Sequence, residues 1–166
     1  QCVIEYLDQL PQRQVLILLD DFFLRRRVDT SAVMRCLAFS RTSQATQLRL
    51  VSRPGPTGRL PEDDLIGECE AGSRYRLSMQ AAIWDRAKLR ELLRAGESIW
   101  EFEHNGNSRA TGQSGGFYSV WRPVLPYEGF FAHHVVEKGR WFPYEKRIFA
   151  RQNIGCDFSR RATLPI

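Results

Sequence analysis

Residues 15–24 read Val-Leu-Ile-Leu-Leu-Asp-Asp-Phe-Phe-Leu, five aliphatic side chains followed at once by two carboxylates and then by aromatics. An unbroken apolar run of this length, preceded by polar residues, predicts a strand buried on both faces of a sheet. Asp20 and Asp21 fall where such a strand leaves the sheet, the end at which ligands gather in open α/β sheets. Two adjacent carboxylates repel each other unless a cation or hydrogen-bond donors hold them. One reading is therefore a divalent metal with oxygen ligands, serving a phosphorylated substrate. The other is a pair of Asp that caps the next turn, and the segment alone weighs the two evenly.

The rest of the chain sets the class. A length of 166 residues, 43% hydrophobic and 26% charged, suits one soluble domain over 1–166 with a single core. No apolar stretch approaches the roughly 18 residues that span a bilayer. The opening Gln-Cys-Val-Ile-Glu lacks the regions of a signal peptide, although a chain that starts on Gln leaves an earlier targeting segment open. The formal charge of +5 is carried mostly by arginine, including Arg25, Arg26 and Arg27. Guanidinium groups suit anionic substrates, with a solvated surface as the plainer reading for most of them. Cys2, Cys36, Cys69 and Cys156 lack metal-binding spacing and read as free thiols in a reducing compartment, the cytoplasm. His133 and His134 are adjacent and would face opposite ways on a strand.

Asp29-Thr30-Ser31 offers caps for a helix over 32–45, and Gln47–Val51 reads as a short strand. Residues 53–64 hold three Pro and two Gly and predict a loop. Tyr75–Ser78 alternates like a strand. Met79–Ala95 carries an apolar stripe of Ile83, Leu89, Leu92 and Leu93 and predicts a helix stopped by Gly96. The Gly-, Ser- and Asn-rich stretch 105–116 predicts a second loop, with strands over 120–126 and 131–136 after it. A final helix begins near Pro143 and runs to Arg151, and 157–166 reads as a tail.

Glu97-Ser98-Ile99-Trp100-Glu101-Phe102-Glu103 is the second chemical clue. Ser98 and Glu101 match a capping box that starts a helix, which gives Glu101 a purely structural role. In helix or strand, an aromatic here stands beside carboxylates, the pairing a sugar site uses. A buried Trp at a helix start explains the same pattern without a ligand.

The strand ending Leu-Leu-Asp-Asp-Phe-Phe-Leu, then Tyr75-Arg76-Leu77-Ser78-Met79-Gln80-Ala81-Ala82-Ile83-Trp84, then the 97–103 block and Val135-Val136-Glu137-Lys138-Gly139-Arg140-Trp141, together resemble bacterial glycosyltransferases. The group they are similar to has the A-type (GT-A-like, Rossmann-like nucleotide-diphospho-sugar transferase) fold and is associated with surface-polysaccharide synthesis. The resemblance spans roughly residues 6–158. It implies an α/β fold in which a mixed sheet is flanked by helices, and a chain that forms the C-terminal portion of that fold. Such transferases carry about a hundred residues before the acidic strand, forming the nucleobase-binding βαβ half. Only 19 residues precede Asp20 here.

By position, the resemblance implies that Asp20 and Asp21 hold Mn2+ or Mg2+ against the diphosphate of a nucleotide-sugar donor. The two Asp are adjacent, without the residue that usually separates them. It implies a catalytic base at Glu101 or Glu103, an acceptor sugar packed on Trp100, and inverting transfer to a glycan or lipid-linked acceptor. Nucleic acid is not expected as a partner, no transmembrane segment is expected, and attachment to a membrane periphery fits. Two other classes remain: a carboxylate-based glycoside hydrolase using Glu97, Glu101 or Glu103 with an Asp, and a non-catalytic module binding glycan or nucleic acid through arginines and tryptophans.

Overall fold

The structure, a computed structural model, describes residues 2–127 and 135–165. The chain forms two compact units: residues 1–18 with 29–125, and residues 19–28 with 126–166.

The first unit is an α/β layer structure. Its mixed six-stranded sheet has the order β1-β5-β2-β6-β4-β3. The strands are β1 (Gln14–Ile17), β2 (Gln47–Arg49), β3 (Gly58–Leu60), β4 (Asp63–Glu68), β5 (Ala82–Asp85) and β6 (Phe117–Val120). Its helices are α1 (Cys2–Gln9), α2 (Thr30–Thr42), α3 (Arg86–Leu92) and α4 (Ile99–Ala110). Only β2 and β6 run parallel, and every other pairing is antiparallel.

Period-two alternation splits the sheet into two faces. Val15, Ile17, Ala82, Trp84 and Phe117 point to one of them, joining Leu7 of α1, Leu89 and Leu92 of α3, and Phe102 and Ala110 of α4 in one core. Trp84 and Phe102 meet with ring centroids 6.4 Å apart. On the other face Leu16 and Ile83 form a groove with Val33 and Leu37 of α2, and Tyr118 meets Phe39 edge-on. Asp29 caps α2, accepting from the Ser31 and Ala32 amides, as the sequence predicts.

Several expectations change. The strand predicted over the aliphatic run is β1, four residues long and at the sheet's edge, paired only with β5. It is half-buried rather than enclosed, and Leu16 and Leu18 are 46% and 48% exposed. The helix predicted over 79–95 divides instead. Ala82–Asp85 fills the slot between β1 and β2, every residue buried, and Asp85 then caps the short α3 through the Ala87 and Lys88 amides. Residues 75–78 form turns rather than a strand, Tyr75 having a left-handed φ of 59°.

Both predicted loops also contain regular structure. β3 and the start of β4 lie within 53–64 and pair as a hairpin, and α4 continues through 105–110. The strand expected over 120–126 ends at Val120.

The second unit holds the hairpin β7 (Val136–Glu137) and β8 (Arg140–Trp141), the helix α5 (Glu145–Arg151) and a 3-10 turn at Phe158–Arg160. Most of the strand expected over 131–136 and both adjacent histidines lie outside the described residues. The predicted tail is packed: Phe158 meets Trp141 and Phe149 edge-on, and Trp141 exchanges backbone hydrogen bonds with Ala162 and Leu164. No helix among the described residues is long and apolar enough to cross a membrane.

Candidate functional site

The sequence-predicted residues fall into the two units separately. Trp100, Glu101 and Glu103 belong to α4 of the first, and Asp20 and Asp21 to a turn of the second.

At α4 the sequence forms its helix start as expected. Ser98 accepts from the Glu101 amide at 3.3 Å, while Glu101 Oε2 accepts from the Ser98 amide at 2.8 Å and its hydroxyl at 2.7 Å. These donors, the amide foremost, hold the exposed Glu101 carboxyl below its ordinary value. Glu97 is engaged just ahead of the helix. Arg109 grips it with two bonds of 2.7 and 2.9 Å, Asn105 adds a third at 3.0 Å, and the guanidinium holds its carboxyl low. Arg109, within the stretch 105–116 predicted as a loop, is on the helix and finds its anion inside the chain.

Glu103 has different surroundings. It is half-buried, and its Oε1 accepts both from the Met79 amide at 2.7 Å and from the Ser78 hydroxyl at 2.9 Å. Oε2 receives no bond among the described residues, so it is the open oxygen of a fixed carboxylate. Asn107, one turn on, donates to the Glu103 carbonyl and accepts from the Leu77 amide, fixing helix and turn together. Trp100 lies three residues before Glu103, a spacing that makes the two side chains neighbours on a helix surface. It is 80% exposed. The explanation of Trp100 as a buried anchor of the helix start therefore does not hold.

Beneath this turn lies a buried polar layer that the sequence does not announce. Gln47 of β2 donates to the Ser78 carbonyl. Arg49, 1% exposed, donates to the Tyr75 carbonyl at 2.6 Å and to Cys69 Sγ at 2.8 Å, and Glu103 adds an attractive field. Burial holds the Arg49 guanidinium below its ordinary value and pushes the Cys69 thiol up, with Arg49 opposing the latter. In Gln47-Leu48-Arg49-Leu50 the alternation reads as one apolar and one wet face. Only the turn at 75–80, brought over the sheet by the tertiary fold, makes the polar face interior.

In the second unit Asp20 is exposed and Asp21 half-buried. The turn that carries them is tied down on several sides. Asp21 accepts through its carbonyl from the Val135 amide at 2.6 Å, and the Arg25 amide donates to Pro126. Phe22 packs on Tyr127, and Phe23 on Phe149 of α5. Arg25 forms a bidentate pair with Glu145 at 2.5 and 2.6 Å, Glu145 being wholly buried, and Gln152 caps the Arg25 carbonyl. Arg25, first of the three arginines read as anion-seeking, is thus an internal tie. No group of three metal-ligating side chains is gathered among the described residues. Two neighbouring carboxylates nevertheless suit Mg2+ or Mn2+, ions that commonly take one or two protein carboxylates and complete their shells with substrate phosphates and water.

Fold and site together define a class, an α/β protein with a mixed six-stranded sheet and a fixed carboxylate beside an exposed tryptophan. No family model, curated protein or solved structure matches the chain.

Proposed function

We propose that the chain belongs to a metal-dependent glycosyltransferase of the A-type fold, acting in the cytoplasm. It would move a sugar from a nucleotide-diphosphate donor to a glycan or lipid-linked acceptor with inversion. The observation that carries this reading is the exposure of Trp100 beside the half-buried, pinned Glu103. An unburied indole next to a held carboxylate offers an apolar platform for a sugar ring and an acceptor for a hydroxyl proton. The mixed sheet and the four free thiols are compatible with the reading.

In this reading Glu103 Oε2 takes the proton from the acceptor hydroxyl as that oxygen attacks the anomeric carbon. Ser78 and Met79 keep the carboxylate oriented through the other oxygen. Glu101 maintains the helix start that carries both groups. In the second unit, Asp20 and Asp21 would hold a divalent ion, whose charge suits the diphosphate of a nucleotide-sugar donor.

Transfer measured by product mass, with a panel of nucleotide sugars, glycan acceptors and manganese, tests the reading. Glu103→Gln is expected to lower kcat by about a hundredfold or more, the usual scale for a general base. Glu101→Gln is expected to retain most of the activity. Loss of transfer in Glu101→Gln with Glu103→Gln fully active would refute the assignment of the base.

A further inference from the structure

A second site lies in the smaller unit. Trp141, Gly155, Cys156, Asp157, Arg160 and Arg161 line an open cleft of about 640 Å³. The Trp141 amide donates to the Ala162 carbonyl at 2.9 Å and its carbonyl accepts from the Leu164 amide at 2.8 Å, which ties β8 to the segment directly after the two arginines. Both arginines are exposed, and neither meets a carboxylate among the described residues. The cleft's own carboxylate, Asp157, is turned to Ser159, whose amide and hydroxyl it accepts at 3.0 and 2.6 Å. The indole N–H of Trp141 is buried and has no acceptor among the described residues. Cations outnumber carboxylates in this unit, so its field favours an anion.

We propose that this cleft binds a phosphate-bearing ligand, its oxygens on the Arg160 and Arg161 guanidiniums and its remaining body against Trp141. Two planar forks without a carboxylate partner among the described residues, both lining the cleft, suit phosphate oxygens, and the indole suits an attached ring or chain. The site requires no metal and is independent of the acidic turn, so it goes beyond the transfer reaction proposed above.

Calorimetric titration of the full chain with inorganic pyrophosphate, in EDTA and low salt, tests it. One saturable site is expected, weakened by about tenfold or more in Arg160→Ala/Arg161→Ala, the loss of two charge-assisted contacts. Arg147→Ala/Arg151→Ala removes the same charge from exposed positions of α5 outside the cleft and is expected to bind nearly as the parent does. Equal weakening in both double variants, or no saturable heat, would overturn the proposal.

Should the first double variant fail to fold, alkylation of Cys156 in the unaltered chain decides. Pyrophosphate should slow it, and an unchanged rate counts against the cleft. Sedimentation with phosphatidylcholine vesicles, with and without phosphatidic acid, separates the sources of phosphate. Pelleting that needs phosphatidic acid and is competed by pyrophosphate identifies a lipid headgroup in the cleft. Pyrophosphate binding without pelleting identifies a free ligand. Pelleting indifferent to pyrophosphate and to the arginine pair would overturn the site.

Discussion

Glu101 and Glu103 are two residues apart on one helix, and their surroundings divide their roles. Glu101 closes a capping box in open solvent, and its Ser98 donors favour the ionised form, which makes it a weak proton acceptor. Glu103 is half-buried with one oxygen pinned and the other open. Replacing Trp100 by Ala should raise the acceptor KM by about tenfold with kcat little changed, because the ring would bind ground and transition states alike. Steady-state kinetics over a range of acceptor concentrations checks this, and an unchanged KM would remove Trp100 from the acceptor site. The thiols give a second test at this scale. Burial lifts Cys36 to about 11 and also raises Cys69, whereas Cys2 is exposed. Mass spectrometry after brief iodoacetamide treatment near pH 8 should find Cys2 modified and Cys36 and Cys69 intact.

The start of α4 is the element on which the site depends. Ser98→Ala should cost about 1 kcal/mol of stability through loss of the cap, read from denaturant melts. The acid dependence follows from Glu97 and Glu101, both held below their ordinary value of 4.5. A depressed carboxyl contributes stability that is fully present above its unfolded pKa and lost as pH falls through the folded one. The melting temperature should therefore hold from neutrality down to about pH 5 and drop below that. The caps at Ser98 and Asp29 were legible in the sequence because each rests on contacts within a few residues, and β2 was legible from its alternation. β5 was not. The alanines, arginines and leucines of the surrounding stretch 79–95 favour helix, and only the vacancy between β1 and β2 makes Ala82–Asp85 a strand. β1 was misjudged for the converse reason: a run of aliphatic residues reports burial, but pairing on one side and exposure of Leu16 are set by what lies at the sheet's edge. Asp85 ahead of Arg86 was the available signal for a helix starting late.

Across the whole molecule, the chain gives residues 19–28 to the second unit between two stretches of the first. The Asp20–Asp21 turn is therefore positioned by contacts distant in sequence, chief among them the pair of Arg25 with Glu145. Glu145→Ala leaves a guanidinium buried without its carboxylate, and should cost about 3–5 kcal/mol. Hydrogen exchange of the 19–28 backbone should accelerate in that variant, and unchanged protection would show that the turn is held by other means. The acidic pair itself was plain in the sequence, as was the aromatic–carboxylate block. The tie at Arg25 was hidden, since a run of three arginines reads as surface until one of them is found 120 residues from its partner. Metal-dependent donor binding tests the central claim most directly. Calorimetry of the full chain with nucleotide diphosphates should show binding that requires manganese and disappears in Asp20→Asn/Asp21→Asn, with the fold retained by circular dichroism. Manganese-dependent binding of equal strength in the double variant would contradict the assignment of the acidic turn and the transfer mechanism built on it.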